Sequence, residues 1–203
     1  MRYSDLDPNG HINNGAINAF LEDGRVQFRE SYMKNCSENI LTGFVLAGMA
    51  CGAAAAESER ILTEKDWEAY TYKDDGGRTC YITSLPTRSK GKYDPANRGE
   101  IRAFVSHGPG KEVRNVVQFL AGYKHKKHSA VDVSIDGKKF KLFTIEGRAY
   151  AESEEDDVAM VRAMKRGSKM TVVGTSTRGT VTTDTYSLSG FTKTKNMIDK
   201  TCR

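Results

Sequence analysis

The sequence predicts a mainly β protein: a β-sandwich or jelly-roll-like domain with two short helices, preceded by an N-terminal helical segment. Three observations support this fold class. From Glu57 onward, short alternating or β-branched runs recur at short, even spacing between Gly, Asn and Asp turns. Two hairpin signals lie among them, DDGG at residues 74–77 and Asp136-Gly137. Two helix-like segments interrupt the strands, and so many short strands are typical of sandwiches and barrels.

The predicted strands share period-2 alternation or a high content of β-branched and aromatic residues. In chain order they are WEAYTY (67–72), RTCYITSL (78–85), GEIRAFVSH (99–107), VRNVVQFLA (113–121), AVDVSI (130–135), KFKLFTI (139–145), RAYA (148–151), KMTVVGTS (169–176) and TVTTDTYSLS (180–189). The threonines near the Arg178-Gly179 turn recur at strand spacing, which predicts solvent-facing positions. These threonines are Thr175, Thr177, Thr180, Thr182, Thr183 and Thr185.

The first predicted helix spans residues 154–166, EEDDVAMVRAMKR. It begins with acids and ends with bases, which suits the helix dipole. Ser153 and Asp156 have capping-box spacing, and Gly167 marks the C-terminal end. The residues predicted to share its buried face are Val158, Val161 and Met164.

The second predicted helix spans residues 190–202. The segment Ser187-Leu188-Ser189-Gly190 is predicted to end a strand and cap this helix. An apolar stripe at helical spacing points the last cysteine inward. Its members are Phe191, Thr194, Ile198 and Cys202.

Length and composition indicate one domain of good size with extra segments. The chain has 203 residues, of which 38% are hydrophobic, 28% charged and 9% aromatic, values that disfavour disorder throughout. The net charge of +5 arises from 31 bases and 26 acids without a concentrated basic face, so no nucleic-acid partner is predicted. The four cysteines form no C-x-x-C pair, so neither zinc nor another cofactor is predicted.

The N-terminal residues 1–32 carry a motif with catalytic character. Residues 7–10 form an Asp-Pro-Asn-Gly turn before an amphipathic helix. Unpaired N–H groups at a helix start can polarise a carbonyl oxygen, and a carboxylate beside them can act as base or nucleophile. The pattern D-x-D-P-N-G-H-I-N-N, followed by A-I-x-x-F-L-E-D-G-R-V-x-F, resembles hotdog-fold acyl-CoA thioesterases of the 4-hydroxybenzoyl-CoA type. That resemblance implies a catalytic role for Asp7.

The thioesterase motif lacks the sheet that a hotdog fold wraps around its helix. The preceding strand is cut to residues 1–3, and a different kind of segment follows Tyr32. Without the sheet, the apolar face of the helix loses most of its burial, worth roughly 25 cal/mol per Å². Residues 1–32 are therefore predicted to be a non-functional fragment. The alternative is an active acyl-CoA thioesterase that uses Asp7.

Residues 33–56 have the organisation of a secretory signal peptide. Counting from Met33, Lys34 supplies the positive n-region and residues 40–50 form the apolar h-region. The run of alanines ending at Ala56 provides the cleavage pattern, so export with cleavage after Ala56 is predicted, giving a periplasmic or secreted protein. The alternatives are a retained anchor or a lipid-modified Cys51, or a buried helix of a larger fold.

Cys80 and Cys202 are predicted to form a disulfide if the chain is exported, because distant cysteines pair in oxidising compartments. One lies on a predicted strand and the other on the inner face of the last helix. The bridge would fasten the C-terminus to the β domain and could contribute about 4–5 kcal/mol.

A second resemblance covers the chain from about Leu62 to its end. The runs CYITSLPTRS (80–89), KEVRNVV (111–117), AGY (121–123), VSIDGKKFKLFT (133–144), AMKRGSKMTVVGTSTRGT (163–180), TDTYSLSGF (183–191) and IDKTC (198–202) are similar to the invasion-associated locus B family. The resemblance implies an exported protein of Gram-negative bacteria, linked by name to host-cell invasion and without a known catalytic site.

Weaker candidates lie within the β domain. The basic loop 124–128, KHKKH, could contact phosphate or acidic glycans, but a solvated loop is the favoured interpretation. His125 and His128 have metal-ligand spacing without a completing acid or cysteine. Ser187, Ser189 and His107 form no recognised nucleophile motif.

The sequence as a whole therefore predicts an exported, non-enzymatic binding protein of the periplasm or cell envelope at residues 57–203. Its partner is not specified by the sequence, and no cofactor, metal or nucleic acid is predicted. Contact with a membrane is predicted only through the export signal or the lipid-modified Cys51 alternative.

Overall fold

The computed structural model describes residues 58–74, 77–109 and 113–202. The predictions for residues 1–56 lie outside these residues: the N-terminal helical segment, the thioesterase-like motif with Asp7, the signal peptide, Cys51 and the cleavage site at Ala56. The described elements are β1 (Glu59–Glu64), β2 (Trp67–Asp74), β3 (Gly77–Ser84), β4 (Arg88–Gly91), a 3₁₀ turn (Pro95–Asn97), β5 (Arg102–His107), β6 (Val116–Leu120), β7 (Val131–Ile135), β8 (Lys138–Ile145), β9 (Arg148–Tyr150), α1 (Glu154–Arg166), β10 (Lys169–Thr175), β11 (Val181–Ser187) and α2 (Phe191–Thr201).

The strands form one antiparallel sheet of eleven strands in the order β1-β2-β3-β5-β6-β9-β8-β7-β10-β11-β4. The mainly β prediction with two helices is confirmed, but the strands are not divided into two separately bonded sheets. The long strand β8 is shared, because residues 138–142 pair with β7 and residues 143–145 pair with β9. The two halves face each other across a common core, where the rings of Phe119 and Tyr186 lie 6.2 Å apart.

Both predicted hairpin signals lie at hairpins. Asp74 pairs with Gly77, so β2 and β3 are joined by a two-residue connection. Ile135 pairs with Lys138 around Asp136-Gly137, whose φ angles are +45° and +94°. Positive φ at both central residues is the signature of the type I′ turn that suits a twisted hairpin.

Two strands lack the alternation by which the other strands were predicted. β4 has the sequence RSKG with all four residues exposed, and it pairs with β11 at one edge of the sheet. β1, ERILTE, forms the other edge and pairs with β2 through an irregular register. Edge strands that carry charges discourage pairing with other molecules, so their composition reflects position rather than burial.

Helix α1 has the predicted bounds and caps. The Ser153 hydroxyl accepts a hydrogen bond from the Asp156 N–H at 3.1 Å, and the Gly167 N–H donates to the Ala163 carbonyl. Four acids in the first turn and two bases in the last turn complement the helix dipole. The predicted buried face is wrong at Val158, which is half-exposed; the buried residues are Asp157, Met160, Val161 and Met164.

Helix α2 covers the inner face of β1, β2, β3 and β5. The predicted stripe is confirmed: Phe191, Thr194 and Ile198 are fully buried, and Cys202 just beyond the helix is 6% exposed. Phe191 packs edge-on against Trp67 with ring centroids 4.9 Å apart. Neither helix of the part that the structure describes has the length and apolar character of a membrane span.

Gly190 begins α2 in the left-handed region, with a φ of +94°, and a Cβ there would overlap the Glu64 carbonyl. Gly137 has the same φ but open space around its Cα. We expect Gly190→Ala to destabilise the protein by about 1–3 kcal/mol more than Gly137→Ala, since only the first adds a clash to the strain of positive φ. Urea unfolding of both variants measures the difference; equal losses would contradict the packing of Gly190 against β1.

Candidate functional site

A group of titratable side chains lies beneath α2 and consists of His107, Lys195 and Asp199, here named the His107 cluster. His107 ends β5, and its neighbour across the sheet is Cys80 of β3. Lys195 and Asp199 are one turn apart on α2 and therefore project to the same side. The His107 and Lys195 side chains are each 2% exposed, whereas the Asp199 side chain is 38% exposed. The cluster therefore reaches solvent through its carboxylate.

The hydrogen bonds of His107 determine which ring nitrogen carries the proton. Its Nδ1 accepts from the Asn115 backbone N–H at 3.1 Å, so the proton of the neutral ring is on Nε2. Nε2 then donates to Asp199 Oδ1 at 2.8 Å. Because a protonated Nε2 cannot accept, Lys195 Nζ, which lies 3.2 Å from it, finds its acceptor in the same carboxylate oxygen.

Burial and the hydrogen-bonding partners have opposite effects on the pKa of each group in the cluster. Burial lowers the pKa of His107, more than the hydrogen bond to Asp199 raises it. Burial likewise lowers the pKa of Lys195. Burial would raise the pKa of Asp199, but the hydrogen bonds from His107 and Lys195 hold it well below its usual range. At neutral pH the cluster contains a neutral imidazole and a lysine–aspartate ion pair, which Lys165 Nζ approaches at 3.5 Å from Asp199 Oδ2.

The disulfide lies beside the cluster. Cys80 and Cys202 are joined, with Cα atoms 6.0 Å apart and 122 residues between them in sequence. The Arg114 guanidinium also donates to the Cys202 carbonyl. The residue that follows α2 is therefore held by a hydrogen bond as well as by the disulfide. The disulfide and the His107 cluster together fasten the end of α2 to β3 and β5.

A histidine–carboxylate pair can serve as a general base when it stands next to a nucleophile. The His107 ring donates to Asp199, accepts from the Asn115 N–H and lies beside Lys195 Nζ, and none of these groups is a hydroxyl or thiol nucleophile. The neighbouring Cys80 sulfur is held in the disulfide. The contacts that the cluster makes attach α2 to β5.

The two buried histidines, His107 and His125, make stability depend on pH. Burial lowers the pKa of each below 6.5 in the folded state. Between the folded and unfolded pKa values the unfolded chain binds more protons, so their contribution is complete above pH 6.5 and is lost as pH falls below it. We expect the free energy of unfolding to decrease from pH 7.5 to pH 5.5.

Urea unfolding at pH 7.5, 6.5 and 5.5 checks this dependence. His107→Gln is expected to flatten the curve, because it removes one of the two buried imidazoles. Additional measurements below pH 4 test Asp199, whose lowered pKa makes its stabilising contribution disappear as the carboxylate is protonated. An identical pH dependence in His107→Gln and the wild type would contradict the assignment to His107.

A second buried group joins the loop after β4 to β11. Arg98 and Asp184 form a two-pronged ion pair with N–O distances of 2.9 and 2.6 Å, and their side chains are 4% and 5% exposed. Arg98 Nε also donates to the Ala121 carbonyl at 2.9 Å. The guanidinium carbon also lies over the rings of Tyr93 and Tyr123, 5.0 and 5.2 Å from their centroids. Burial opposes the charge of Arg98, but the bonds to Asp184 and Tyr93 raise its pKa, so this pair is charged and fully enclosed.

The weaker predicted candidates are dispersed. His125 is buried with its ring edge-on to Tyr123, whereas His128 is exposed. The Ser187 hydroxyl accepts from the Ser189 N–H and so shapes the turn before α2. Thr182 is buried and bonds the Tyr123 hydroxyl at 2.7 Å, so the prediction that all the threonines face solvent is wrong at this position. Within residues 58–74, 77–109 and 113–202, no three His, Cys, Asp or Glu side chains are grouped to hold a metal ion.

The interior cavity between the halves of the sheet is small. It is lined by residues that include Phe119, Tyr123, His125 and Tyr186, and its volume is about 10 Å³. That is about the space needed by one water molecule. This cavity cannot hold a small-molecule substrate, so surface features are the better candidates for binding.

One surface candidate is a face of the sheet, here named the outer face. It is the side of β8, β7, β10, β11 and β4 that points away from the core. Strand register fixes which side chains line up across it, because directly paired residues of antiparallel strands share a face. Its first row is Lys139, Ser134, Thr171, Thr185 and Arg88, and its second row is Lys141, Asp132, Val173, Thr183 and Lys90. Each row begins and ends with an exposed cation.

Sequence analysis identified the two bridged cysteines but not the partners of His107 or the Arg98 ion pair. Two signals were available. Lys195 lies on the same helical stripe as Phe191 and Ile198, and Asp184 has the same strand parity as the buried Tyr186. A charged residue at a position that the pattern marks as buried indicates a partner elsewhere in the chain.

Most of the described part of the chain matches a known protein family. The family model described as "Invasion associated locus B (IalB) protein" matches residues 67–199. Among solved structures, the crystal structure of invasion associated protein B from Bartonella henselae is similar with a TM-score of 0.46 and 12% identity, covering 72% of this chain and 98% of that one. No curated protein matches the chain.

Proposed function

Because the chain belongs to the invasion-associated locus B family, we propose that it acts as an exported, non-enzymatic binding protein of the bacterial cell envelope. In this proposal the mature protein begins near Glu57, resides in the periplasm or at the cell surface, and contributes to envelope function or host-cell invasion. The family is not a known enzyme family, which agrees with a role in binding.

The observation that carries the proposal is the Cys80–Cys202 disulfide. Structural disulfides persist in oxidising compartments such as the periplasm and are rare in the bacterial cytosol. Its position supports a structural role, since it fastens the last helix to the centre of a sheet half. The signal-like composition of residues 33–56 supports export independently of the disulfide.

The mass of the mature chain tests the proposal. The gene is expressed in its natural host, periplasmic and cytosolic fractions are separated, and intact masses are measured before and after reduction. We expect a periplasmic or secreted species that begins near Glu57 and gains two mass units on reduction. An intact N-terminus with free Cys80 and Cys202 in the cytosol would overturn the proposal.

An activity assay separates the proposal from the thioesterase alternative. Purified full-length protein is incubated with a panel of acyl-CoA thioesters, and free CoA is measured. We expect no turnover above background. Turnover that disappears in Asp7→Ala would replace the binding function with an acyl-CoA thioesterase.

A further inference from the structure

We propose that the outer face binds a linear anionic polysaccharide that lies across the strands along the first row, from Lys139 to Arg88. The inference rests on the proposed function as an exported binding protein and names its class of partner. It follows from the register of five strands, which brings residues from three distant parts of the sequence into one line.

The charges are arranged as two pairs at opposite margins of the face. Lys139 and Lys141 belong to β8, and Arg88 and Lys90 belong to β4. Members of a pair are two residues apart and therefore about 7 Å from each other, while the pairs are separated by four strand spacings, about 19 Å. A single phosphate or a short acid reaches only one pair. An extended chain with repeated negative groups reaches both, and the second contact then benefits from a high effective concentration.

The surface between the two pairs consists of short side chains. In the first row these are Ser134, Thr171 and Thr185, which present hydroxyl groups on a half-exposed strand surface. Hydroxyls can both donate and accept hydrogen bonds, as can the hydroxyls of a sugar chain. Because these side chains are shorter than the lysines and arginine at the margins, a polysaccharide chain has room to lie along the strand surface between the cations.

The same surface is poorly suited to the competing classes of partner. Neither row contains an aromatic residue, so neither row offers a ring on which a nucleic-acid base could stack. Protein interfaces are anchored by a few buried Trp, Tyr or Arg side chains near their centre. The only arginine of the two rows, Arg88, stands at the margin, which favours a charged polymer over a folded protein.

Asp132 selects between the two rows. It occupies the second row between Lys141 and Val173, and it is exposed. Its negative charge opposes a polyanion there, whereas the first row contains no acid. The chain is therefore expected along the first row, with Lys90 and Lys141 adding attraction from the side.

The test uses the purified full chain and heparin as the probe, with titration calorimetry at several salt concentrations. The variant Arg88→Ala/Lys139→Ala removes both ends of the first row. The control Arg162→Ala/Lys200→Ala also removes one arginine and one lysine, from exposed positions on the two helices. We expect the row variant to lose at least tenfold in affinity with a clearly shallower salt dependence, and the control to lose less than threefold.

Further arms decide the identity of the partner. Asp132→Asn is expected to tighten heparin binding two- to fivefold, and uncharged dextran is expected not to bind. Equal losses in the row and control variants, or no heparin binding by the wild type, would overturn the proposal. Binding to phosphatidylglycerol vesicles that depends on the same row and exceeds heparin binding would overturn it in favour of a lipid surface. The mass of the mature N-terminus reports on the proposed function separately, so the two failures are distinguishable.

Discussion

Replacing both bridged cysteines, in Cys80→Ala/Cys202→Ala, is expected to lower the free energy of unfolding by about 4–5 kcal/mol. The bridge closes a loop with a sequence separation of 122, and a cross-link over about 100 residues restricts the unfolded chain by that amount in the chain-entropy model. For a domain of this size the loss corresponds to a decrease in Tm of roughly 10–20 °C. Differential scanning calorimetry at pH 7.5 measures it.

Two comparisons isolate the contribution of the bridge. Reduced wild-type protein should melt close to the double variant, because both lack the covalent link. The same double change at the other two cysteines of the full-length chain, Cys36→Ala/Cys51→Ala, should leave the Tm within about 2 °C of the oxidised wild type, because it keeps the Cys80–Cys202 bridge. A double variant at Cys80 and Cys202 that melts within 3 °C of oxidised wild type would show that the remaining contacts of α2 suffice.

Removing one partner of the Arg98–Asp184 ion pair is expected to cost about 3–5 kcal/mol, because it leaves an uncompensated charge inside the protein. The side chains of both residues are at most 5% exposed, so water cannot replace the lost partner. The exposed pair between Lys124 and Glu146, with side chains 74% and 65% exposed, is the matched control. Lys124→Ala should cost far less than either buried substitution, because an exposed ion pair contributes little to stability.

A double variant distinguishes the cost of an unpaired charge from the value of the pair itself. Arg98→Met/Asp184→Leu removes both charges and keeps most of the side-chain volume, and it should be more stable than either Arg98→Met or Asp184→Leu alone. Urea unfolding of the four proteins completes a thermodynamic cycle. Costs below 1 kcal/mol for both single variants would mean that solvent reaches the ion pair.

Several of the strands that were predicted from the sequence have two sides that differ in burial. In β10 the residues Met170 and Val172 are buried while Thr171 and Val173 are half-exposed, and that alternation is visible in a single sequence. β4 was missed because its partners are the backbone groups of β11, which place no demand on the side chains of RSKG. The sharing of β8 between two neighbours could not be predicted either, since register depends on residues far away in the chain.

The candidate sites likewise differ in whether the sequence near each residue predicts its partner. Cys80 and Cys202 are chemically distinctive, so their pairing could be predicted from compartment and spacing alone. The hydrogen bond from His107 to Asp199 joins residues 92 positions apart. The sequence around His107 contains no motif that predicts this partner. The outer face likewise exists only in the folded sheet, because its rows combine single residues from five strands.

β4 pairs with β11, a strand far away in the sequence, and this pairing delays folding during synthesis of the chain. Residues 88–91 can pair only after residues 182–185 have been synthesised. The disulfide of Cys80 forms only after Cys202 has been synthesised. Non-local pairings of this kind slow folding and leave intermediates prone to aggregation. Truncation by even a single helix at the C-terminus should therefore yield insoluble material rather than a smaller folded domain, and production of the protein should depend on help from chaperones and disulfide-forming enzymes.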